Sequence, residues 1–430
     1  MKIRLEIANR AIAIASACVT ASAALAWNGS FVKLNDYAET GTDGAIVVLG
    51  TPGEWDPDEK GLTVKEKVFD GDPETFFDPP SDADTPWAGI HLTKPMVLAK
   101  VRYSCRSGFG YRMRGLQIQG ANSADFSDAV TLVTLPDCSG LQPPNYREDV
   151  FGSPDTICPY SYFRVFDPDG RHSCGNISEL ELYGFESTDQ SPPAAPVFSK
   201  YFDINGVANL FFNAAAEVPL YEVCRIVNPG TDNETSQSVY LAYPDTGAVY
   251  WHDSGLPVVP QCEFRLRALN TAGASSWAVY TPNYRNVARG EVIGLTKEET
   301  WHEETDGAVT LFDGDITTYA DADDGSNTWG GLDLGQSRLV IGVRYIIRDG
   351  WASRVPGAKF QVADNADFSD AVTIYEAPDE RPDNVQLPIS AENVSSASGR
   401  YVRMLSAPGG NLNMAEVEFE LDASPNGLVE

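Results

Sequence analysis

Apolar residues along this chain alternate with polar ones over short runs and seldom repeat at helical spacing. Val97-Leu-Ala-Lys-Val-Arg-Tyr103, Leu116-Gln-Ile-Gln119 and Tyr162-Phe-Arg-Val165 are runs of this kind. A two-residue period puts one face of an extended segment in a core and the other in solvent, so these segments are predicted to be strands. The 37 Gly and 28 Pro that punctuate the chain suit turns between strands better than long helices. The expected fold class is all-β, built of sandwiches or jelly rolls.

The pattern is duplicated. Ala124-Asp-Phe-Ser-Asp-Ala-Val-Thr131 recurs as Ala366-Asp-Phe-Ser-Asp-Ala-Val-Thr373. The same spacing carries Trp87 onto Trp329, Val101-Arg-Tyr103 onto Val343-Arg-Tyr345, Arg106 onto Arg348, Arg112 onto Arg354 and Gly115 onto Gly357. At nearly the same spacing, Phe69-Asp-Gly-Asp72 answers Phe312-Asp-Gly-Asp315, and Asn176-Ile-Ser-Glu-Leu-Glu181 answers Asn413-Met-Ala-Glu-Val-Glu418. Collinear matches of this extent, separated by unrelated sequence, mark a duplicated domain and not a solenoid of adjacent short units. The proline-rich Ser191-Pro-Pro-Ala-Ala-Pro196 opens the segment between the copies.

Charge and length narrow the function. A chain of 430 residues is too long for one core, and about three domains are expected. Its net charge of −30 excludes a nucleic-acid binder, which needs clustered Lys and Arg against phosphate, and docking on anionic lipid. Lys2, Arg4 and Arg10, an apolar stretch from Ala11 to Ala26 and the closing Ala24-Leu25-Ala26 predict a signal peptide over residues 1–26, cleaved before Trp27. That stretch is short for a bilayer span, and no later segment could make one. Export is therefore expected, to the extracellular space, the cell surface or the periplasm. Cys105, Cys138, Cys158, Cys174, Cys224 and Cys262 remain after the leader, an even set that favours disulfides in an oxidising compartment.

Three features in order resemble a known family: Asp-Gly-Asp-x-x-Thr, then Trp87 or Trp329 opening a strand, then Arg106-x-Gly-Phe109-x-x-Arg112 or Arg348-x-Gly-Trp351-x-x-Arg354. With the closing Asn-x-x-Glu-x-Glu strand they resemble a discoidin (coagulation factor 5/8 type C) domain, and are most similar to bacterial forms grouped with family 32 carbohydrate-binding modules. The resemblance covers residues 27–187 and 290–422, leaving a tail at 423–430. It implies two galactose-binding-like jelly rolls that present ligand loops at one end. Residues 188–289, with Tyr221-Glu-Val223 and Phe264-Arg-Leu-Arg-Ala-Leu-Asn270, resemble a fibronectin type III domain. An immunoglobulin-like sandwich acting as a spacer is implied there.

Candidate chemistry follows. The sequence has no GxSxG, HExxH, P-loop or pre-helical GxGxxG motif, and His91, His172, His252 and His302 fall in different segments. Two carboxylates alone can hydrolyse a glycoside, so an undetected polysaccharide hydrolase stands as a third reading. A non-catalytic glycan- or polysaccharide-binding protein is the first, and an adhesion or scaffold protein binding extracellular proteins the second. Asp70, Asp72 and Thr75, and Asp313, Asp315 and Thr318, gather hard oxygens around a glycine turn. That suits Ca²⁺, which takes six to eight such ligands; an Asx turn without metal is the alternative. The resemblance implies a structural calcium completed by Glu179 and Glu416.

For the ligand, sugars offer hydroxyl edges and flat C–H faces, which an aromatic ring beside charged and amide groups can bind. Arg348, Trp351, Arg354, Asn411 and Asn413 are the expected cluster in the second copy, with Arg106, Phe109, Arg112 and His172 in the first; the alternative is a Trp351 buried against the sandwich and arginines that only clamp the loop through salt bridges. Trp87 and Trp329 are expected to pack in the cores. Disulfides are expected as Cys138–Cys158, in a loop the second copy shortens, as Cys105–Cys174, and as Cys224–Cys262, where the fibronectin resemblance makes the two strands neighbours.

Overall fold

The computed structural model describes residues 30–56, 58, 61–170, 176–325, 327–378 and 386–423. The expected leader, His172 and Cys174 lie outside them. Contacts group the chain into two units, residues 1–151 with 155–190, and 152–154 with 191–430.

The first unit is organised by one long strand, Trp87–Cys105. Its first half pairs with Pro159–Phe166 and Val48–Gly50, and its second half with Ile177–Phe185 and Arg147–Val150. The register breaks between His91 and Met96, so one strand serves two antiparallel layers. Gln117–Ala121 and Val130–Thr134 continue the first layer, and Val32–Lys33 the second. Between the layers Ile90, Leu98, Val101, Tyr103, Phe163 and Leu180 are fully buried, the inward members of the alternating runs. This is a jelly roll.

Residues 291–421 repeat it around Trp329–Ile347. That strand pairs first with Ala397–Leu405 and Glu291–Gly294, and after a register break between Asp333 and Arg338 with Met414–Leu421 and Ile389–Ser390. Between the two rolls in sequence, Phe198–Ile204, Val207–Ala214 and Gly247–His252 form one sheet. Leu220–Val227, Thr235–Ala242, Cys262–Asn270 and Ala278–Tyr280 form the facing one. Leu210, Phe212, Val223, Phe264 and Leu266 fill the space between them. The fold is all-β: two jelly rolls separated in sequence by an immunoglobulin-like sandwich.

The octapeptide repeat proves to be a turn. Phe126 and Phe368 sit at φ 56° and 57°, a left-handed conformation that bulky residues seldom adopt. Asp128 accepts the N–H groups of Asn122 and Ser123, and Asp370 those of Asp364 and Asn365, which holds the strained loop closed.

Two expected disulfides are corrected. Cys224 lies opposite Arg265 and Cys262 opposite Val227 on adjacent strands. An odd offset puts their side chains on opposite faces: Cys262 joins the core, while Cys224 shares the outer face with Ser238 and Glu222. Neither is bonded. Cys138 is buried, its Sγ 3.9 Å from the Tyr103 hydroxyl, whereas Cys158 is exposed, and the two are not joined. The third pair includes Cys174, outside the described residues.

Candidate functional site

At one end of each jelly roll the long strand runs directly into the same loop. Arg106 follows Cys105, Gly108 turns the chain at φ 79°, and Phe109 leads into the short 3-10 helix Gly110–Met113 carrying Arg112. In the second copy Gly350, at φ 80°, Trp351 and the 3-10 helix Ala352–Arg354 repeat the path. Backbone bonds close both loops identically, Phe109 to Arg106 and Arg112 to Phe109, then Trp351 to Arg348 and Arg354 to Trp351.

This path brings the predicted residues together around an aspartate. In the second copy Arg348 Nη1 donates to Asp321 Oδ2 and, at 3.0 Å, to Asn413 Oδ1. Asn413 Nδ2 donates to Asp321 Oδ1, and Arg354 stands 3.6 Å from the same carboxylate. Arg348 lies 3.6 Å over the Tyr319 ring, and Arg354 4.1 Å over Trp351. In the first copy Arg106 bonds Asp78 at 3.1 Å and lies 4.2 Å over Phe76, while Arg112 stacks on Phe109. Asn176, at the place of Asn413, is fully buried with neither amide atom hydrogen-bonded. Asn411 does not join the cluster: its amide donates to the Ala322 carbonyl at 2.8 Å, a backbone clamp.

Sequence reasoning missed part of the site. Trp55 and Trp301 are each 52% exposed, and their backbone N–H groups donate to the carbonyls of Asp78 and Asp321. Each jelly roll thus sets an exposed indole on the chain next to its Arg/Asp pair. Insertions shift the spacing of these tryptophans, so the repeat does not align them, and Asp78 and Asp321 are lost among abundant acids. Two clefts flank the second cluster. One of about 400 Å³ is lined by Thr317, Tyr319, Arg348, Asp349, Trp351 and Gln386. The other, about 380 Å³, is lined by Glu299, Asp323, Asp324, Asn327, Thr328 and Trp329. Trp87 and Trp329 are half-buried, Trp87 packed edge-on against Phe126 and Trp329 tilted against Phe368, with Arg164 and Arg403 alongside. An arginine guanidinium, a carboxylate and an aromatic face at one loop end can bind a polyhydroxylated ligand through paired hydrogen bonds and C–H contact.

The acidic motifs form separate sites. Thr75 Oγ1 is 3.0 Å from Asp70 Oδ2 and 3.0 Å from the Asp72 carbonyl. Glu179 Oε2 accepts the Gly71 N–H at 2.7 Å, and burial, with Asp70 nearby, pushes its carboxyl up to about 8. Thr318 bonds Asp313 and the Asp315 carbonyl in the same way. Glu416 is wholly buried and faces Asp313, its Oε1 without a hydrogen-bond partner. The side chains of Asp72 and Asp315 instead accept the N–H groups of Glu74 and Thr317. Among the described residues no group of three or more Asp, Glu, His or Cys side chains is placed to hold a metal. Each motif instead brings two carboxylates together with a hydroxyl and a carbonyl oxygen, the donor types that a hard cation takes. An orphaned carboxylate oxygen facing a second carboxylate is what such a donor set presents to a hard cation.

No family model matches this sequence, and no curated protein matches it. Among solved structures the chain is similar to a CBM62 from Clostridium thermocellum, at 38% identity over 32% of this chain and 94% of that one, with a TM-score of 0.28. It is also similar to the family 32 CBM of Clostridium perfringens NanJ, solved with galactose, at 16% identity over 36% and 99%, with a TM-score of 0.27. An f-lectin from striped bass (Morone saxatilis) serum shares 12% identity over 92% and 99%, with a TM-score of 0.27. With its long strand passing between two antiparallel layers and its loops closing alike at one end, each copy of the repeat is a jelly-roll domain.

Proposed function

We propose that this chain is an exported, non-catalytic carbohydrate-binding protein whose two jelly rolls each bind a glycan at the Arg/Asp loop end. The observation that carries the reading is duplication of an entire arrangement. Arginine on aspartate, arginine over an aromatic ring and an exposed tryptophan recur together in both copies. A fold requirement alone explains the buried members; it does not explain a half-exposed indole kept at the same place twice. Arg348 and Asp321 would hold adjacent hydroxyls and the tryptophan would cover a C–H face. Single-site affinity is expected near millimolar Kd, about −4 kcal/mol, with two sites tightening retention on a multivalent glycan.

The same reading includes one structural calcium per jelly roll, held by Asp70, Thr75 and Glu179, and by Asp313, Thr318 and Glu416. The carbonyls of Asp72 and Asp315 complete each set. The ion would neutralise buried carboxylates and fix the turn, with no part in ligand chemistry.

Glycan-array screening of the folded chain with Ca²⁺ present tests this, and selective retention of a glycan class is the expected result. A folded chain that retains no glycan contradicts the reading, and turnover of a polysaccharide would make it an enzyme.

A further inference from the structure

The immunoglobulin-like sandwich, expected to be a spacer, inserts its first hairpin into the second jelly roll. The hairpin Phe198–Ile204 to Val207–Ala214 is closed by Asn205 and Gly206, at φ 48° and 67°, a two-residue turn for which Asn-Gly is the favoured sequence. From this turn Asn205 Nδ2 donates to Glu416 Oε2 at 2.6 Å and to the carbonyls of Leu311 and Val417. The Asn205 N–H donates to Glu418 Oε2 at 2.6 Å. Behind it, Asn209 Nδ2 donates to the Gly314 carbonyl, Tyr250 Oη accepts the Ile316 N–H, and His252 Nε2 lies 3.3 Å from Asp315 Oδ2. Phe202 and Ile204 pack with Ile316, Ile346 and Ala415.

The two acidic sites consequently differ. In the first, Gly71 and Asp72 are exposed, Lys67 stands 3.2 Å from Asp70, and the Gly71 N–H serves Glu179. In the second, Gly314 is buried and Thr310 stands where the repeat has Lys67. The side chain serving Glu416 comes from the other sandwich. Glu416 Oε1 faces the Asp313 carboxylate and accepts no N–H or hydroxyl, an arrangement that a proton shared by the two carboxyls or a bound cation relieves.

We propose that Asn205 is a positioning residue for a cation held between Asp313 and Glu416, and that the immunoglobulin-like sandwich closes over that ion. By fixing Oε2 it leaves Oε1 turned to the ion, and the cover delays release relative to the open first site. The inference rests on the calcium reading of both motifs.

The test loads the full chain with Ca²⁺ and follows release into a fluorescent chelator by stopped flow. Two phases are expected, the fast one abolished by Glu179→Gln and the slow one by Glu416→Gln. Asn205→Gly keeps a turn-compatible backbone and should weaken the slow site alone by roughly 10–100-fold, the usual effect of losing such a supporting contact. Two ions leaving in a single phase, or a slow phase indifferent to Asn205→Gly, overturn this inference and leave the calcium reading standing; no bound ion overturns both. Should the glycine variant fold poorly, Asn205→Asp retains the turn while replacing the donor by a carboxylate. It is expected to melt lower than the parent in EDTA and to recover in Ca²⁺. Equal losses in both conditions would make Asn205 merely structural and end the proposal.

Discussion

At the scale of single residues, exposure separates binding groups from packing groups. Trp301 is 52% exposed, so Trp301→Ala should change stability by only about 0.5 kcal/mol, as at other surface positions, while reducing glycan retention. A melting curve beside a retention assay checks both, and unchanged retention by a folded variant would remove Trp301 from the site. Glycine gives a second contrast. Gly71 and Gly314 hold equivalent left-handed turns, at φ 83° and 79°. A Cβ at Gly71 meets nothing, whereas one at Gly314 would come within 2.4 Å of Val207. Gly71→Ala should cost about 1–2 kcal/mol of backbone strain, and Gly314→Ala about 1–3 kcal/mol more from overpacking; urea titration of each compares them. Arg106, Phe109, Arg112, Arg348, Trp351, Arg354 and Asn413 were legible because their spacing survives duplication. Trp55, Trp301, Asp78 and Asp321 were not, since loop insertions displace the tryptophans and a lone acid in so acidic a chain carries no mark.

At the scale of elements, alternation identified strands but not their full reach. Val97 to Tyr103 reads as one strand, yet the element runs from Trp87 to Cys105 through Thr93-Lys94-Pro95, a polar break that becomes the crossing between layers. The octapeptide, the longest identical stretch of the repeat, marks a turn whose left-handed Phe126 and Phe368 need their aspartate clamps. Adjacency of the strands bearing Cys224 and Cys262 was anticipated, but a disulfide also depends on side-chain parity, which only the register shows. Non-reducing peptide mapping should find no Cys224–Cys262 peptide; finding one would contradict the register. The acidic turns make a further prediction. At a hundredfold excess over Kd, bound Ca²⁺ contributes about 2.7 kcal/mol per site, so chelator should lower the melting temperature. Superimposable melts with and without chelator would remove calcium from the account.

At the scale of the whole molecule, duplication and the three segments of distinct character were readable from sequence, whereas docking within the second unit was not. It depends on buried charges scattered far apart in the chain. Arg344 is buried against Glu418 at 2.9 Å and Asp203 at 3.2 Å, and Arg285 reaches the same Asp203. Arg344→Ala would leave two buried carboxylates short of a partner and should cost about 3–5 kcal/mol, read by urea denaturation; a loss below about 1 kcal/mol would mean that the cluster contributes little to docking. The central claim is that two copies of one loop-end site bind glycan. It is tested most directly by glycan-array retention of the full chain beside the Trp55→Ala/Trp301→Ala double variant, with melting curves for both. The account predicts retention of a defined glycan class by the parent, and its loss in a variant that melts within a few degrees of it. Undiminished retention by the folded variant, or none by the parent, would contradict it.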